Sequence, residues 1–269
     1  MNCVIVIPIY KENLSCDEIS SLNQCANIFA NRDIKLICSR NLNVVAYEKI
    51  FNNLNFSLER FDDNNFCSLG TYSKMLLTPE FYMRFSKYDF MLIYQPDAWV
   101  FRDELDYWCN QGFSYIGAPW FVGDNLHKIA GNGGFSLRNI SDMIELLSNK
   151  KAIRYNPREY AASYLKSFDF RTIFDVALNY FAHFFYKISF WESTALNEDY
   201  AIVKYSKKFM KEFKCAPPNI AMKFSFEVHP EILYKMNEYN LPFGCHAYLK
   251  YNPDFWKKFL PLSDQSLEE

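Results

Sequence analysis

Phe90-Met91-Leu92-Ile93-Tyr94 is a nearly unbroken apolar run that stops at Gln95-Pro96-Asp97. A strand that is apolar on both faces needs cover on both sides, which is the position of an inner strand in a parallel sheet wrapped by helices. Val4-Ile5-Val6-Ile7-Pro8 has the same character, a helical stretch over residues 17–30 follows it, and Asp33-Ile34-Lys35-Leu36-Ile37-Cys38 forms a further strand. Strand, helix, strand in that order predicts an α/β fold with right-handed crossovers. Ligands of such sheets sit at the carboxyl ends of the strands. Asp97, directly after the central run, is therefore the first candidate functional residue.

A chain of 269 residues without internal repeats, low-complexity stretches or an obvious linker is expected to form one continuous core. Its 29 basic and 31 acidic residues leave no basic surplus to neutralise a nucleic-acid backbone, so nucleic acid is excluded as a partner. The eight cysteines include no C-x-x-C pair and no histidine at zinc-finger spacing, and they read as buried thiols in a reducing cytoplasm. No signal peptide and no apolar run of membrane-spanning length is expected.

Further along, residues 71–85 have a helical pattern, and Tyr115-Ile116-Gly117-Ala118-Pro119-Trp120 reads as strand and turn. In Gly131-Asn132-Gly133-Gly134-Phe135-Ser136-Leu137-Arg138, three glycines in four residues require positive φ or close approach by another group. A helix over residues 141–148 with Ser141 as N-cap comes next. Aromatic-rich residues 155–191 suggest a helical insertion, and Pro242-Phe243-Gly244-Cys245-His246 a turn that presents a histidine. Tyr10, Tyr94, Trp99, Trp120 and Tyr248 fall near these loops, where a ring face suits a nucleobase or a sugar.

Several of these residues have two readings. Asp97 is either a turn cap or a ligand for Mg2+ or Mn2+, hard ions that take few protein carboxylates beside substrate phosphates. His246 is either structural or a second metal ligand. Glu198 and Asp199 are either solvated acids at the start of a helix or contain a general base. The glycine-rich segment has neither the dinucleotide fingerprint nor the Gly-Lys-Ser/Thr of a phosphate-binding loop. It offers a backbone able to lie against a flat polar ligand, with Asn132 to donate and accept.

In order, I-P-I-Y-K, the stretch T-Y-S-K-M-L-L-T-P-E-F-Y-M-R-F, then L-I-Y-Q-P-D-A-W-V-F, Y-I-G-A-P-W, G-N-G-G-F-S-L-R, N-E-D and P-F-G-C-H-A-Y resemble a bacterial family of GT-A-type glycosyltransferase-like domains encoded among surface-polysaccharide (capsule, O-antigen) genes. The resemblance implies a GT-A-like α/β fold: a mixed, mostly parallel central sheet flanked by helices. It implies a single domain over 1–269, with a donor half at 1–110, an acceptor half at 111–269 and a helical insertion at about 150–195. Asp97 aligns with the last acid of the family's metal-binding D-x-D, whose first position here is Gln95, and a late histidine of relatives aligns with His246. Pro8, Tyr10 and Lys11 fall at the nucleotide, Lys74 near the diphosphate unless it is a solvated helix lysine, and Asn132, Gly133 and Gly134 between donor sugar and acceptor. Asp199 becomes the base of an inverting single displacement, with Glu198 as helper or substitute.

The implied partners are a nucleotide-sugar, UDP before GDP or TDP, and a glycan or lipid-linked glycan acceptor. Peripheral contact with the inner membrane through residues 155–191 is a second reading of that segment, beside a lid or acceptor wall. Two other functions use the same residues: a metal-dependent hydrolase on Asp97, His246 and Glu198, or a sugar-binding module that has lost catalysis, as Gln95 hints.

Overall fold

The structure is a computed structural model that describes residues 1–150, 189–194 and 196–262. The strands are β1 (Cys3–Pro8), β2 (Asp33–Ser39), β3 (Phe56–Phe61), β4 (Phe90–Tyr94), β5 (Ala98–Val100), β6 (Tyr115–Gly117), β7 (Pro119–Val122), β8 (Asn125–Ala130), β9 (Phe135–Asn139), β10 (Ser225–Phe226) and β11 (Gly244–His246). Six of them form the central sheet in the order β3-β2-β1-β4-β9-β6. The first four are mutually parallel, and β9 runs antiparallel between β4 and β6. This is the mixed, mostly parallel GT-A-like α/β sheet expected from the sequence.

Alternation along β1 shows why its sequence is apolar throughout. Cys3, Ile5 and Ile7 pack into one core with Leu22, Cys25 and Phe29, whereas Val4 and Val6 pack into another with Leu76, Phe81 and Met143. A polar residue at any of these positions would be stranded in one of two cores.

The helix Cys16–Ile28 begins within a residue of expectation, closed by a capping box in which Ser15 and Glu18 satisfy each other's backbone N–H. The single helix expected over residues 71–85 is two, Leu69–Leu76 and Pro79–Met83. Pro79 cannot donate an intrahelical bond and holds Thr78 extended, so the first helix ends ahead of it. The helix expected from Ser141 is Ile140–Ser148, and its N-cap is Asn139, which accepts from the Asp142 N–H. The helical insertion lies largely in residues 151–188, outside the described residues, as does the membrane reading of that segment.

A small sheet, β10-β11-β5, stands beside the central one over a third core that contains Trp99, Phe226, Leu233, Tyr248 and Trp256. Its antiparallel β5–β11 pair opposes His246 to Ala98, the residue after Asp97. By this register a histidine near the chain end arrives at the carboxyl end of β4. Among the described residues no helix is long and apolar enough to cross a membrane.

Candidate functional site

Gln95-Pro96-Asp97 leaves the end of β4 in a tight turn, closed by the Ala98 N–H on the Gln95 carbonyl at 2.9 Å. The loop forms one end of a cavity of about 380 Å³ whose other walls include Pro8, Tyr10, Phe66, Leu69 and Tyr72. Tyr10 is 61% exposed and reaches over the cavity, while the Tyr72 hydroxyl is buried with no hydrogen-bond partner among the described residues.

His246 stands behind Gln95 and Asp97 at the polar end. Its Nε2 lies 3.2 Å from Asp97 Oδ1 and 2.8 Å from Gln95 Oε1, and its Nδ1 lies 3.2 Å from Glu227 Oε1. Glu227 fixes the ring so that Nε2 points at Asp97, the outer-shell carboxylate arrangement that orients a metal-ligating histidine. Burial works against protonation of His246, but Asp97 and Glu227 outweigh it and hold the imidazole up to about 10. Burial likewise raises Asp97, yet the facing imidazolium leaves it below its ordinary value.

No group of three or more His, Cys, Asp or Glu able to hold an ion occurs among the described residues. The donor set at this point is smaller and mixed: one carboxylate oxygen, one amide oxygen and one imidazole nitrogen. A single protein carboxylate with remaining positions left to phosphate and water is how Mg2+ is commonly held beside a nucleotide, and imidazole is compatible with Mn2+. The residues present fit a divalent ion bound together with a diphosphate once the Nε2 proton that His246 shares with Asp97 and Gln95 has left, so that binding of the ion releases a proton.

The glycine-rich segment joins this end to a second polar cluster. The Gln95 N–H donates to the Gly134 carbonyl at 2.9 Å, and the Gly133 N–H donates to Asp199 Oδ2 at 3.1 Å. Neither glycine has a positive φ; that feature belongs to Gly131, at +150°. Close approach is what requires them: a Cβ on Gly134 would collide with the Nε2 edge of the His246 ring, and one on Gly133 would stand 2.6 Å from Glu198 Oε1. Gly134→Ala is thus expected to push the imidazole off Asp97. The NMR titration of the displaced imidazole should then move down towards that of an ordinary histidine while the fold is kept.

Glu198 and Asp199 open the helix Glu198–Phe209 but differ in surroundings. Glu198 is pinned: Oε1 accepts from Arg138 Nη2 at 2.9 Å, Oε2 accepts from Ser73 Oγ at 3.1 Å, and its own N–H donates to Ser73 Oγ at 3.2 Å. Asn197 makes no side-chain cap, so Ser73 satisfies a helix-end donor across the interface between two helices. Arg138 is fully buried and also donates to Ser136 Oγ and Tyr82 Oη, at 3.1 and 2.8 Å. Asp199 accepts from two backbone N–H groups, Gly133 and Tyr200. Burial and the adjacent Glu198 nevertheless push its carboxyl up to about 7.

Other expected residues stand apart. Lys74 is exposed and does not line the cavity, and Lys11 is tied to Glu18 at 2.8 Å. Asn132 turns its Oδ1 inward to accept from the Gly134 N–H, shaping the loop. Of the five aromatics read as loop residues, Tyr94, Trp99 and Tyr248 are core, and Trp120 packs edge-on to Tyr200 at 5.8 Å. Four residues with structural weight here were not singled out: Tyr72, Ser73, Arg138 and Glu227. Glu227 carried the same signal as Asp97, an acid after a short apolar run, in Phe224-Ser225-Phe226-Glu227.

No curated protein sequence matches the chain. Among solved structures it is similar to the apo bifunctional glycosyltransferase WbbM, with TM-score 0.50 and 14% identity over 94% of this chain and 46% of that one. It is also similar to the apo glycosyltransferase GlyE of Streptococcus pneumoniae TIGR4, with TM-score 0.45 and 11% identity over 91% and 54% of the two chains. A third similar structure is a glycosyltransferase involved in glycosylation of the major capsid of PBCV-1, with TM-score 0.46 and 10% identity over 91% and 93%. The chain spans about half the length of WbbM and GlyE. At 14% identity the likeness to WbbM concerns the fold alone, and it agrees with the sheet described above. The sequence pattern of one family covers residues 55–246, and the chain belongs to that family, described as "Protein of unknown function (DUF5672)".

Proposed function

We propose that the chain is a glycosyltransferase that moves a sugar from a nucleotide-sugar, UDP-linked, to a hydroxyl of a surface glycan or lipid-linked glycan in a bacterial cell. The observation that carries this reading is the Gly133-Gly134 link, which seats the Asp97–His246 pair and the Asp199 carboxylate on adjoining residues of one loop. A transfer reaction needs an electrophilic end that stabilises a departing diphosphate and a basic end that takes a proton from the acceptor.

In this reading Pro8 and Tyr10 line the slot for the base, with Phe66 and Tyr72 on its far wall. Asp97, His246 and Gln95 hold a divalent ion, Mn2+ or Mg2+, which supplies positive charge to the diphosphate when bound. Asp199 accepts the acceptor hydroxyl's proton during a single inverting displacement. Its raised value suits a base working near neutral pH. Glu198 is assigned a positioning role rather than that of helper base, because Arg138 and Ser73 occupy both its oxygens. Residues 1–110 contribute the nucleotide side and residues 111–269 the acceptor side, His246 crossing back to complete the ion site. The chain acts in the cytoplasm on this account, with peripheral contact at the cytoplasmic face of the inner membrane where lipid-linked acceptors are used.

Acceptor-dependence separates transfer from hydrolysis. With Mn2+ and a UDP-sugar, nucleoside diphosphate release is expected only when a glycan acceptor is supplied, and proton NMR of the product should show the anomeric configuration opposite to the donor's. Equal release without acceptor supports a hydrolase, and a retained configuration removes Asp199 from the role given to it.

A further inference from the structure

A second cavity, of about 610 Å³, lies at the far end of the same β5–β11 pair. The pair runs antiparallel, so Asp97 and His246 stand at one end, whereas Arg102, which donates to the Pro242 carbonyl at 2.9 Å, stands at the other. The two cavities share no lining residue. A ligand in this cavity does not occupy the nucleotide slot.

The walls indicate the ligand's chemistry. Trp108 is 4% exposed, and its indole N–H, a strong donor, has no partner among the described residues. Beside it Tyr107 is 57% exposed, a large ring face open to solvent at the cavity mouth. Asn219 and Lys223 are exposed on the opposite wall with no partner among the described residues. The two bases, Arg102 and Lys223, are balanced by two acids, Glu104 and Glu238, and Arg102 is paired with Glu104 at 2.6 Å. No net positive charge is therefore available for a phosphate or a polyanion. One exposed tyrosine face with amide and ammonium donors, at overall neutrality, suits a neutral polyhydroxylated ring whose C–H face lies on the aromatic and whose hydroxyls meet polar groups.

We infer that this cavity is a second carbohydrate-binding site, which holds a neutral oligosaccharide segment away from the reacting hydroxyl. The inference rests on the glycosyl-transfer reading for its purpose, since such a site would keep a glycan acceptor attached between encounters and raise its local concentration at the reaction centre.

The test is saturation-transfer difference NMR on the full chain with neutral trisaccharides of glucose, galactose, mannose and rhamnose, each at millimolar concentration. Signal is expected from at least one trisaccharide, and it should persist in excess UDP with Mn2+. Tyr107→Ala and Asn219→Ala, both at exposed positions, should each weaken binding at least about tenfold, equivalent to about 1.4 kcal/mol, and leave the UDP–Mn2+ melting shift unchanged. Signal from none of the trisaccharides, displacement by UDP, or indifference to both substitutions overturns the inference. Failure of the glycosyl-transfer reading shows elsewhere, as absence of any Mn2+-dependent nucleotide shift.

Discussion

Asp199→Asn is expected to abolish glycosyl transfer, lowering the rate by about 10²–10⁴-fold as loss of a positioned general base does, while raising the melting temperature at pH 8. The two effects have one origin. Burial first, and Glu198 second, hold the Asp199 carboxyl up to about 7, above its ordinary value near 3.8. Between about pH 4 and pH 7 the folded chain therefore retains a proton that the unfolded chain has released, and stability falls as pH rises through that window. Asparagine carries no charge to bury, so the variant's advantage should grow from nothing below pH 4 to its full extent above pH 7. In the wild type, transfer should rise with pH and level off above about 7, where Asp199 has lost its proton. A pH–rate profile and melting curves of both proteins at pH 4 and pH 8 check the pair of expectations. An active Asp199→Asn variant would remove the residue from the chemistry.

The second large effect concerns a pair that touches no substrate. Arg138 is fully buried, Glu198 is nearly so, and they meet at 2.9 Å. Arg138→Met leaves the carboxylate buried without its cation, which typically costs about 3–5 kcal/mol, or roughly 10 °C of melting temperature for a chain of this size. The double variant Arg138→Met with Glu198→Leu removes both charges and should recover most of that loss. Its transfer rate should stay low, because Gly133 and the start of the helix that carries Asp199 are both held by the pair: Arg138 Nη2 lies 3.4 Å from the Gly133 carbonyl and 2.9 Å from Glu198. Recovery of stability together with recovery of rate would show that the ion pair has no positioning role. Melting curves and rates on the three variants separate these outcomes.

How much of this was legible in the sequence differs from element to element. The central sheet was, because β1 and β4 are buried on both faces and are written in apolar residues throughout, while β2 alternates buried apolar with half-buried polar positions. The place of Asp97 on the cavity at the end of β4 was, because a carboxylate directly after such a strand has few places to go. The glycines announced close approach but not the approaching groups, for His246 and Glu198 lie more than sixty residues downstream and reach the loop only through tertiary register. Arg138 closes the glycine-rich segment with no neighbour in sequence that announces its partners, and only the assembled sheet shows its guanidinium surrounded by Tyr82, Ser136 and Glu198. The break at Pro79 was a missed boundary signal, since Thr78-Pro79 interrupts an otherwise helical pattern. The difference in surroundings between Glu198 and Asp199, adjacent acids at one helix start, is not written in the residues around them. It arises from Ser73, 125 positions away, which bonds one of them and not the other.

The most direct measurement is the melting temperature of the chain with UDP, GDP, TDP and CMP, each with and without Mn2+, for the wild type and Asp97→Ala. A ligand that binds only the folded chain raises its melting temperature in proportion to the logarithm of its saturation. The account predicts a shift with UDP that needs Mn2+ and is absent in Asp97→Ala. No shift with any nucleotide, or the same shift in Asp97→Ala, would contradict it.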